Sequence, residues 1–526
     1  MEPKIRRSTW AFIAISIFLQ AEVSSSANIL ALFPLASRSH NNIFSTITKA
    51  LAQKGHHFTV ITSQPIDSPP PNYRQIDIYH VVGHHLSSFN TTNQLGVLEM
   101  IGGLKGMCLD VCREVMKQEE VMSLVTPKLG TKFDLILMSN FFTECLYPFA
   151  RVYNAPIVLL SPGGPMPSTY SAVGNVMLPS YFAEPILGFN DRMTMMERTL
   201  NTMTHIAFSI FYKYFIQRSM EYEMRSAFGE DTPSIAELEE YVSLAVLNNH
   251  FSLNEPRPTV PCLIEAGGLH IKPPKELPKD LKTFLDGAGK DGAIYFSLGS
   301  VLKSSGFPKE TRDELITAFS KIKQRVLWKW EGDSPIPGQS KNVRLEKWLP
   351  QQDLLAHPNV KLFITHGGLL SFQEATSRGV PLIGIPYYGD QAMNMKKVLH
   401  HQVGVALDPK NLTSTNVLNA INEVLGNPNY ATKMKKLSSI MMDQKDQPLE
   451  RAVYWIEYVL RHDGAKHLKP AAFYLSWYQI YLLDVIFLAI VLPNVGHAVF
   501  AIFGLKLIKK IWRSRGKNKT SRPKTD

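Results

Sequence analysis

FITHGGLLSFQEATSRGVPLIGIPYYGDQ, residues 363–391, sets two apolar segments beside polar residues at their ends. The first segment reads as a buried strand, and His366 directly follows it. Gly367 and Gly368 allow a tight turn and a close approach of the backbone to a ligand. A helix is predicted over residues 369–378, and its free N–H groups and positive dipole end suit a phosphate. The stretch therefore predicts an anion site between a strand and a helix.

The polar side chains on this helix and after the next strand suit hydroxyl groups. Ser371 and Glu374 are three residues apart, so they share a helix face. A carboxylate one turn into the helix is poorly placed for a phosphate but well placed to accept hydrogen bonds from sugar hydroxyls. Asp390 and Gln391 end the next apolar run, where an aspartate accepts hydroxyl protons and a glutamine both donates and accepts.

Two shorter motifs upstream add to this pattern. FSLGS closes another apolar strand with Gly299 and Ser300, a turn of small residues that can admit a phosphate. WLPQ supplies Trp348, a flat face for a base, and Gln351, an amide able to pair with a base edge. In this order and spacing, the motifs together predict a nucleotide-sugar site.

The order of apolar segments predicts the fold class. NILALFPL, NNIFSTITKALAQKG and HHFTVITS read as strand, helix and strand, which opens a parallel sheet. A Gly-, Pro- and Lys-rich segment follows near residue 270, and the alternation then begins again at AIYFSLGS. We therefore expect an α/β protein with two doubly wound halves, whose ligands bind in a cleft at the carboxyl ends of the strands.

Both ends of the chain carry membrane-targeting patterns. Lys4, Arg6 and Arg7 precede an apolar run and small residues, as in a secretory signal. Residues 481–503 would span about 34 Å as a helix, enough for a bilayer core. The alternative interpretation of this stretch is a buried core helix. The basic residues that follow it predict a cytosolic tail and a lumenal body.

The overall charge does not indicate nucleic-acid binding. The net charge is +11, but nine Lys and Arg residues and one Asp lie after residue 505. The rest of the chain is nearly neutral, so the basic surface that nucleic acid needs is missing. The four cysteines have no metal-ligand spacing, and four cysteines do not fix a disulfide pairing. Asn90, Asn411 and Asn518 each begin a glycosylation triplet. The first two could be glycosylated only if the body is lumenal, and Asn518 would lie on the cytosolic side.

The run WLPQQDLLAHPNVKLFITHGGLLSFQEATSRGVPLIGIPYYGDQAMN resembles the signature of the UDP-glycosyltransferases. The remainder, from signal to basic tail, is similar to the animal membrane-bound members, closest to those of insects. This resemblance implies a GT-B architecture, in which two Rossmann-like domains face a cleft and a transmembrane helix follows. The carboxyl half would bind the UDP-sugar and the amino half the acceptor. The resemblance also implies that no metal or other cofactor is needed.

The resemblance divides the chain into seven parts. We expect a signal peptide (1–26), an acceptor-binding domain (27–265), a linker (266–288), a UDP-sugar-binding domain (289–445), a helical segment returning toward the amino-terminal domain (446–477), a transmembrane helix (478–505) and a basic cytosolic tail (506–526). It places the protein in the endoplasmic reticulum membrane as a single-pass protein with a lumenal catalytic body. Whether the chain forms a homo-oligomer stays open.

The resemblance also assigns roles to the donor-site residues. Trp348 would stack on uracil, Gln351 would contact the uracil and ribose side, and Glu374 would hold the ribose hydroxyls. The diphosphate would be bound by His366, Ser371 and Ser300, with Gly368 opening the helix. Asp390 and Gln391 would bind the hexose. In the amino half, His40 matches the family's catalytic base, and its position at the start of a helix favours a neutral imidazole.

The sequence departs from the family at the residue that orients this base. The expected carboxylate position, at the end of FDLILMS, holds Ser139 and Asn140. Asp134 begins that strand and should lie at the wrong end. Glu144 lies one turn into the next predicted helix and is our candidate replacement. The alternatives are that Ser139 and Asn140 orient His40 more weakly, or that activity is low.

The expected reaction is an inverting transfer of a hexose, glucose by resemblance to insect members, to a hydroxyl of a small lipophilic acceptor. A second interpretation is a non-catalytic protein that binds UDP-sugar and lipophiles and has lost the catalytic pair. A hydrolase using His40 lacks a nucleophile motif and leaves the donor signature without a purpose. The Met- and aromatic-rich stretch between residues 188 and 223 suits either core packing or the wall of an acceptor pocket.

Overall fold

The computed structural model describes residues 26–87, 97–126, 130–184, 187 and 189–517. The expected signal peptide and the triplets at Asn90 and Asn518 lie outside these ranges, as does the end of the basic tail. The chain divides into two compact units, residues 1–469 and 470–526. Each unit is described by itself.

A seven-stranded parallel sheet forms the first half of unit 1. Its strands lie in the order β3-β2-β1-β4-β5-β6-β7. The strands are β1 Asn28–Phe33, β2 His57–Thr62, β3 Tyr73–Asp77, β4 Leu135–Ser139, β5 Ile157–Ser161, β6 Val242–Leu247 and β7 Leu263–Glu265. The helices are α1 Arg38–Gln53, α2 Tyr79–Ser87, α3 Val97–Met116, α4 Glu119–Val125, α5 Pro148–Tyr153, α6 Pro167–Val173, α7 Met195–Phe211, α8 Arg218–Phe228 and α9 Ile235–Leu238.

A six-stranded parallel sheet forms the second half, in the order β10-β9-β8-β11-β12-β13. The strands are β8 Ala293–Ser297, β9 Arg325–Lys329, β10 Val343–Glu346, β11 Val360–Thr365, β12 Leu382–Gly384 and β13 Gly404–Ala406. The helices are α10 Lys279–Asp286, α11 Lys309–Ser320, α12 Gln351–Leu355, α13 Leu369–Arg378, α14 Gln391–His401, α15 Ser414–Gly426, α16 Pro428–Met442 and α17 Pro448–Arg461. The segment expected to be a linker thus contains α10.

Each sheet reverses its strand order at one point. In the first sheet β1 lies beside β4, and in the second β8 lies beside β11. The segments leaving two such strands turn in opposite directions, which opens a crevice at their carboxyl ends. Met138 pairs with Leu32, and Thr365 pairs with Ser297, so the ends of the paired strands are level. The two predicted doubly wound sheets are therefore confirmed.

Apolar side chains hold these sheets together. All the strand residues of β4, β5 and β8 are buried, as expected for parallel strands covered on both faces. Helix α17 contributes Ala452, Val453, Ile456 and Val459 to the core of the first sheet. Its Glu457 also forms an ion pair with Lys54, at 2.6 Å. The chain therefore returns to the first sheet after completing the second.

The stretch rich in methionine and aromatic residues forms α7, a π-helical turn over Tyr212–Gln217, and α8. Helix α7 buries only Asn201 and leaves apolar side chains such as Met203 and Ile206 exposed. Helix α8 buries Met220 and Met224. The core-packing interpretation therefore fits the second part of this stretch, which lies in α8. It is wrong for most of the first part, which forms α7.

The disulfide pairing that the sequence left open is Cys112–Cys145. It joins α3 to the turn that follows β4. Cys108 and Cys262 are free and buried. The bond therefore anchors the segment that carries Glu144, next to Cys145 in the chain.

Unit 2 contains α18 Trp477–Ile480, α19 Leu483–Ile486 and α20 Leu492–Lys517, with a π-helical turn over Phe487–Val491. The continuous helical stretch Leu483–Arg515 is long and apolar enough to cross a membrane, with a mean hydropathy of 2.2 in its most apolar window. Two polar side chains inside it bond to its own backbone. The Asn494 amide donates to the Ile490 carbonyl at 2.6 Å, and the His497 ring nitrogen lies 2.7 Å from the Pro493 carbonyl.

Substitution of Gly404 tests the packing between β12 and β13. A Cβ atom there would meet the Leu382 carbonyl oxygen and, at 2.9 Å, a Val398 methyl. We expect Gly404→Ala to destabilise the protein by about 1–3 kcal/mol, the usual cost of overpacking. Gly426→Ala is the matched control, because a Cβ atom there meets nothing within 4 Å. Thermal unfolding of the full-length variants measures both effects, and equal midpoints for the two would contradict the packing described.

Candidate active site

His366 fills the crevice between the ends of β8 and β11. A Cβ atom on Gly299 would lie 2.7 Å from the His366 ring, and one on Gly368 would lie 2.5 Å from it. Gly299 also has a φ of +83°, in the left-handed region that favours glycine. Both glycines are therefore required for the imidazole to occupy this position.

The His366 imidazole is neutral at physiological pH. Burial lowers its pKa to about 4, and the nearby Lys329 ammonium adds to that effect. One ring nitrogen, Nδ1, lies 3.3 Å from the Thr365 hydroxyl. A neutral imidazole carries one N–H, which can donate to an anion at this point.

The amino end of α13 opens onto the same crevice. Gly368 caps the helix and offers no side chain, so the N–H groups of the first turn are left to other partners. The Asp390 carboxylate accepts a hydrogen bond from the Leu369 N–H. Ser300 lies in the turn after Gly299 and is half-buried. The predicted helix over residues 369–378 is confirmed, because α13 has these bounds.

Asn394 fixes Asp390 to the His-Gly-Gly turn. Its amide donates to the Asp390 carboxylate at 2.7 Å and to the Gly367 carbonyl at 3.0 Å. The side chain is almost completely buried. Asn394 was not among the predicted site residues, although its position in α14, four residues after Asp390, was a usable signal.

Gln351, Ser371 and Glu374 form one hydrogen-bonded group. The Gln351 amide donates to the Ser371 hydroxyl at 3.2 Å and to the Glu374 carboxylate at 2.5 Å. Gln352 donates to the other Glu374 oxygen at 2.9 Å. The Tyr295 hydroxyl donates to the Gln351 amide oxygen at 3.0 Å and so fixes the direction of that amide. Gln351 therefore contacts both of the other predicted site residues.

Glu374 keeps its negative charge although it is buried. Burial raises its pKa, but interactions with His270 and hydrogen bonds from Gln351 and Gln352 outweigh this and bring the pKa below its ordinary value. His270 is fully buried, and its Nε2 lies 3.4 Å from the Glu374 carboxylate. No local pattern predicts this contact, because His270 lies in the segment before the second sheet and meets Glu374 only in the folded chain.

Trp348 is 65% exposed, so a face of its indole ring is available to a ligand. The Lys329 ammonium lies 5.9 Å from its ring centre. Lys329 is otherwise buried at the end of β9, where it donates to the Gly299 carbonyl at 2.9 Å and to the Glu331 carboxylate at 2.7 Å. It links Trp348 with the Gly299 turn and His366. Lys329 was not among the predicted site residues, although a charged residue at the end of an apolar strand was a usable signal.

Gln391 is buried, and its amide oxygen accepts hydrogen bonds from the N–H groups of Tyr387 and Tyr388, at 2.7 and 3.2 Å. This oxygen closes the turn before α14. Only the NH2 group of Gln391 is therefore left for a sugar hydroxyl, whereas the exposed Asp390 beside it remains an acceptor.

His40 lies in the first turn of α1, directly after β1. Its backbone N–H donates to the Ser37 hydroxyl, which caps the helix. The ring is half-buried, with ring centres of Phe141 at 5.8 Å and of Phe44 at 6.5 Å. Burial lowers the pKa of the imidazole to about 4. His40 is therefore neutral at physiological pH and can accept a proton.

Glu144 lies in a single 3-10 turn, Glu144–Leu146, and not inside a helix as the sequence suggested. The helix begins only at Pro148, whose ring favours the first helical position. Glu144 is buried, and its Oε1 accepts a hydrogen bond from the Tyr212 hydroxyl at 2.6 Å. Among the described residues, no hydrogen bond joins it to His40. Its observed partner is thus Tyr212 in place of the expected histidine.

Ser139 and Asn140 are buried at the end of β4. The Asn140 amide donates to the Thr169 hydroxyl at 2.9 Å. Neither side chain bonds to His40 in the part of the chain that the structure describes. The same part contains no group of three or more His, Cys, Asp or Glu residues placed to hold a metal ion.

A family model described as UDP-glucoronosyl and UDP-glucosyl transferase matches residues 29–518. The chain belongs to this family. It is thus a UDP-glycosyltransferase, an enzyme that transfers a sugar from a UDP-sugar to an acceptor. The predicted family is confirmed.

Curated relatives cover almost the whole UDP-glycosyltransferase chain. UDP-glycosyltransferase UGT5 of Dactylopius coccus is 35% identical over 94% of each chain. UDP-glucosyltransferase 2 of the same insect is 37% identical over 88% of this chain and 90% of its own. UDP-glucuronosyltransferase 2B10 of Homo sapiens is 32% identical over 84% and 86%.

Solved structures agree on the fold. The calicheamicin glycosyltransferase CalG4 superposes with a TM-score of 0.55 at 15% identity, over 83% of this chain and 99% of that chain. A UDP-glucosyltransferase from Polygonum tinctorium gives the same TM-score and the same coverage at 17% identity. The GT-B architecture of this UDP-glycosyltransferase is confirmed.

Substitution of Asn394 tests the hydrogen bond that holds Asp390 in place. We expect Asn394→Ala to raise the dissociation constant for a UDP-hexose about tenfold, the effect of losing one good hydrogen bond to a charged group. The change for UDP alone should be smaller, because Asp390 would contact only the sugar. Asn419→Ala, at an exposed position of α15, serves as the control. Calorimetric titration of the two ligands measures the difference, and an equal loss for both would contradict a sugar role for Asp390.

Proposed function

We propose that this enzyme transfers glucose from UDP-glucose to a hydroxyl of a small lipophilic acceptor, with inversion at the anomeric carbon and His40 as the general base. The observation that carries the proposal is the neutral imidazole of His40 at the carboxyl end of β1, within a cleft whose other side carries the predicted donor site. The acceptor half would comprise residues 27–265 and the donor half residues 289–445.

Contacts between the halves support a shared cleft. The Gln373 amide on α13 donates to the Asn248 carbonyl, directly after β6, at 3.1 Å. Gly163, after β5, lies beside Leu369 at the start of α13, with only 3.5 Å between its Cβ position and a leucine methyl. The carboxyl ends of strands in the acceptor half thus face the helix that would bind the diphosphate.

The donor would lie along the second crevice. Trp348 would stack on the uracil and Gln351 would contact its edge, while Glu374 would accept from the ribose hydroxyls. The amino end of α13, His366, Ser371 and Ser300 would bind the diphosphate. Asp390 and the NH2 group of Gln391 would hold the hexose hydroxyls. This set needs no metal ion, because N–H and O–H donors can carry the phosphate charge.

The transfer would be a single displacement. His40 takes the proton of the acceptor hydroxyl while that oxygen attacks the anomeric carbon. The bond from this carbon to the UDP oxygen breaks, and UDP leaves with the electron pair. Attack from the side opposite the leaving group inverts the configuration. The positive end of α13 and the His366 N–H stabilise the negative charge that develops on the diphosphate.

Glucose is favoured by two considerations. An insect relative at 37% identity is named a UDP-glucosyltransferase. Physically, the Asp390 carboxylate suits an uncharged hexose, because it would repel the carboxylate of a glucuronate held against it. The mammalian relatives at about 32% identity are named glucuronosyltransferases, so the sugar is a point to test.

We infer that the catalytic body lies in the lumen of the endoplasmic reticulum. The apolar part of the helix Leu483–Arg515 would be the single span, and the basic residues from Lys506 onward would keep the tail cytosolic. The expected signal peptide agrees with this orientation. The triplet at Asn411 would then be glycosylated, and loss of a mass shift on glycosidase treatment of Asn411→Gln would test it.

Substitution of His40 tests the base. We expect His40→Ala to lower kcat by about 10²–10⁴-fold, the usual contribution of a general base, while UDP binding is unchanged. His57→Ala, at an exposed position at the start of β2, is the matched control. Steady-state kinetics and UDP titration on the full-length chain give both quantities. Full turnover by the His40 variant would exclude the assignment.

The pH profile gives a second test. The neutral form of His40 is the base, and burial lowers its pKa to about 4. The value of kcat/KM for the acceptor should therefore stay level from about pH 8 to about pH 5 and fall as the pH drops through about 4. His366 has a similarly lowered pKa, so UDP binding over the same range must be measured to separate the two. An inflection near 6.5 would contradict a buried base.

The donor is identified by direct competition. We expect product from UDP-glucose to form at least tenfold faster than from UDP-glucuronate, because one unfavourable charge contact costs about 1.4 kcal/mol or more. Mass spectrometry of products from a panel of phenols gives the rates, with enzyme-free reactions as blanks. Faster transfer of glucuronate would refute the choice of glucose.

A further inference from the structure

The segment that follows β7 is fixed to the two helices around Glu374. The Lys272 N–H donates to the side-chain oxygen of Gln352, on α12, at 2.9 Å. The guanidinium of Arg378, at the end of α13, donates to the Lys272 carbonyl at 2.6 Å. Two helices of the second half therefore hold this segment in place, although the sequence predicted it as part of a linker.

His270 lies two residues before Lys272, with its imidazole close to Glu374. The ring is fully buried, and its Nε2 lies 3.4 Å from the Glu374 Oε1. Apart from this contact, neither ring nitrogen has a hydrogen-bond partner among the described residues. A buried polar group without a partner costs about 1–3 kcal/mol, so the Glu374 carboxylate is the partner that this ring needs.

The Gln352 amide joins the two residues. It donates to the His270 carbonyl at 3.1 Å and to the Glu374 Oε1 at 2.9 Å. The backbone of His270 and the carboxylate are therefore held at a fixed separation by one side chain. A change in the position of His270 would be transmitted to Glu374 through this amide as well as through the ring.

The two oxygens of Glu374 differ in how many donors surround them. Each carboxylate oxygen can accept about two hydrogen bonds. Oε1 faces both the Gln352 amide and the His270 ring, whereas Oε2 accepts only from Gln351 in the part of the chain that the structure describes. Oε2 therefore has capacity for one further donor, and the groups on Oε1 fix the rotation of the carboxylate.

The imidazole also stabilises the charge on this carboxylate. Burial raises the pKa of Glu374, and the interaction with His270 is the largest of the effects that bring it below its ordinary value. An ionised carboxylate accepts a stronger hydrogen bond from a hydroxyl than a neutral acid does. His270 thus acts on both the orientation and the charge of Glu374.

We propose that His270 is a positioning residue of the donor site, which holds the Glu374 carboxylate so that Oε2 accepts a hydrogen bond from one ribose hydroxyl of the nucleotide. The proposal rests on the function proposed above, in which Glu374 binds the ribose. It adds to the donor site a residue from the segment between the two domains. His270 acts through Glu374 and does not itself touch the nucleotide.

Two amide substitutions separate this contact from simple packing. The side-chain nitrogen of glutamine extends about as far from the backbone as the histidine Nε2, whereas that of asparagine is one carbon closer to it. We therefore expect His270→Gln to keep a hydrogen bond to Glu374 and His270→Asn to lose it. Both variants carry the same uncharged amide, so the loss of a histidine as such would affect them equally.

Calorimetric titration of the full-length protein with UDP and with 2′,3′-dideoxy-UDP measures the effect. The dideoxy compound keeps the base and the diphosphate but has no ribose hydroxyl. We expect the wild type to bind UDP about tenfold more tightly, the effect of one good hydrogen bond to a charged group. This preference should remain in His270→Gln and fall to about twofold or less in His270→Asn.

His357→Asn is the matched control. The His357 side chain is only 8% exposed, and its Nε2 lies 3.2 Å from the Asp286 carboxylate, so it is another buried histidine paired with an acid. This variant should keep the full preference for UDP. An unchanged preference in His270→Asn, or an equal loss in the control, would overturn the proposal. If thermal unfolding shows that His270→Asn does not fold, His270→Met, which has the length of glutamine but no donor, takes its place under the same criteria.

Transfer assays separate this proposal from the proposed function. With UDP-glucose, His270→Asn should raise KM and leave kcat within about twofold, because His270 does not touch the reacting atoms. If the preference for UDP depends on His270 but no phenol is glucosylated, the glucosyl-transfer proposal fails and the positioning role stands. If glucose is transferred but the preference is absent in the wild type or intact in His270→Asn, the positioning role is wrong and glucosyl transfer stands.

Discussion

The active cleft depends on two reversals of strand order, between β1 and β4 and between β8 and β11. At such a point the chain leaves neighbouring strands in opposite directions, so a crevice must open at their carboxyl ends. His40 follows β1, and Ser139 ends β4. Gly299 and His366 follow β8 and β11. Residues far apart in sequence thus reach two crevices without any long loop to position them.

Burial then sets the charge states inside these crevices. Both histidines are kept neutral, with pKa values of about 4, because a cation loses much hydration there. Glu374 stays charged despite its burial, because surrounding hydrogen-bond donors stabilise its anion. The second half therefore contains a neutral imidazole N–H and a buried carboxylate anion around the same helix. The same physical effect, desolvation, leaves His40 free to accept a proton.

The local structure at the ends of strands could be predicted from the sequence. His366, Gly368, Ser371 and Glu374 were predicted because a turn and a helix start have recognisable local patterns. His270 was not predicted, because its contact with Glu374 joins two segments that no local pattern relates. The Cys112–Cys145 pairing was undetermined for the same reason. For Glu144, the sequence could not show that Tyr212, 68 residues later, would take its hydrogen bond.

The two crevices differ in how fully their polar groups are paired. Around α13, Gln351 donates to both Ser371 and Glu374, so this group is held in shape by the protein itself. After β4, the oxygens of Ser139 and Asn140 have no such partner among the described residues. A preorganised group of this kind needs no rearrangement of its hydrogen bonds when a ligand binds. Unpaired buried oxygens instead cost stability, so the protein itself satisfies the polar groups of the second crevice more fully than those of the first.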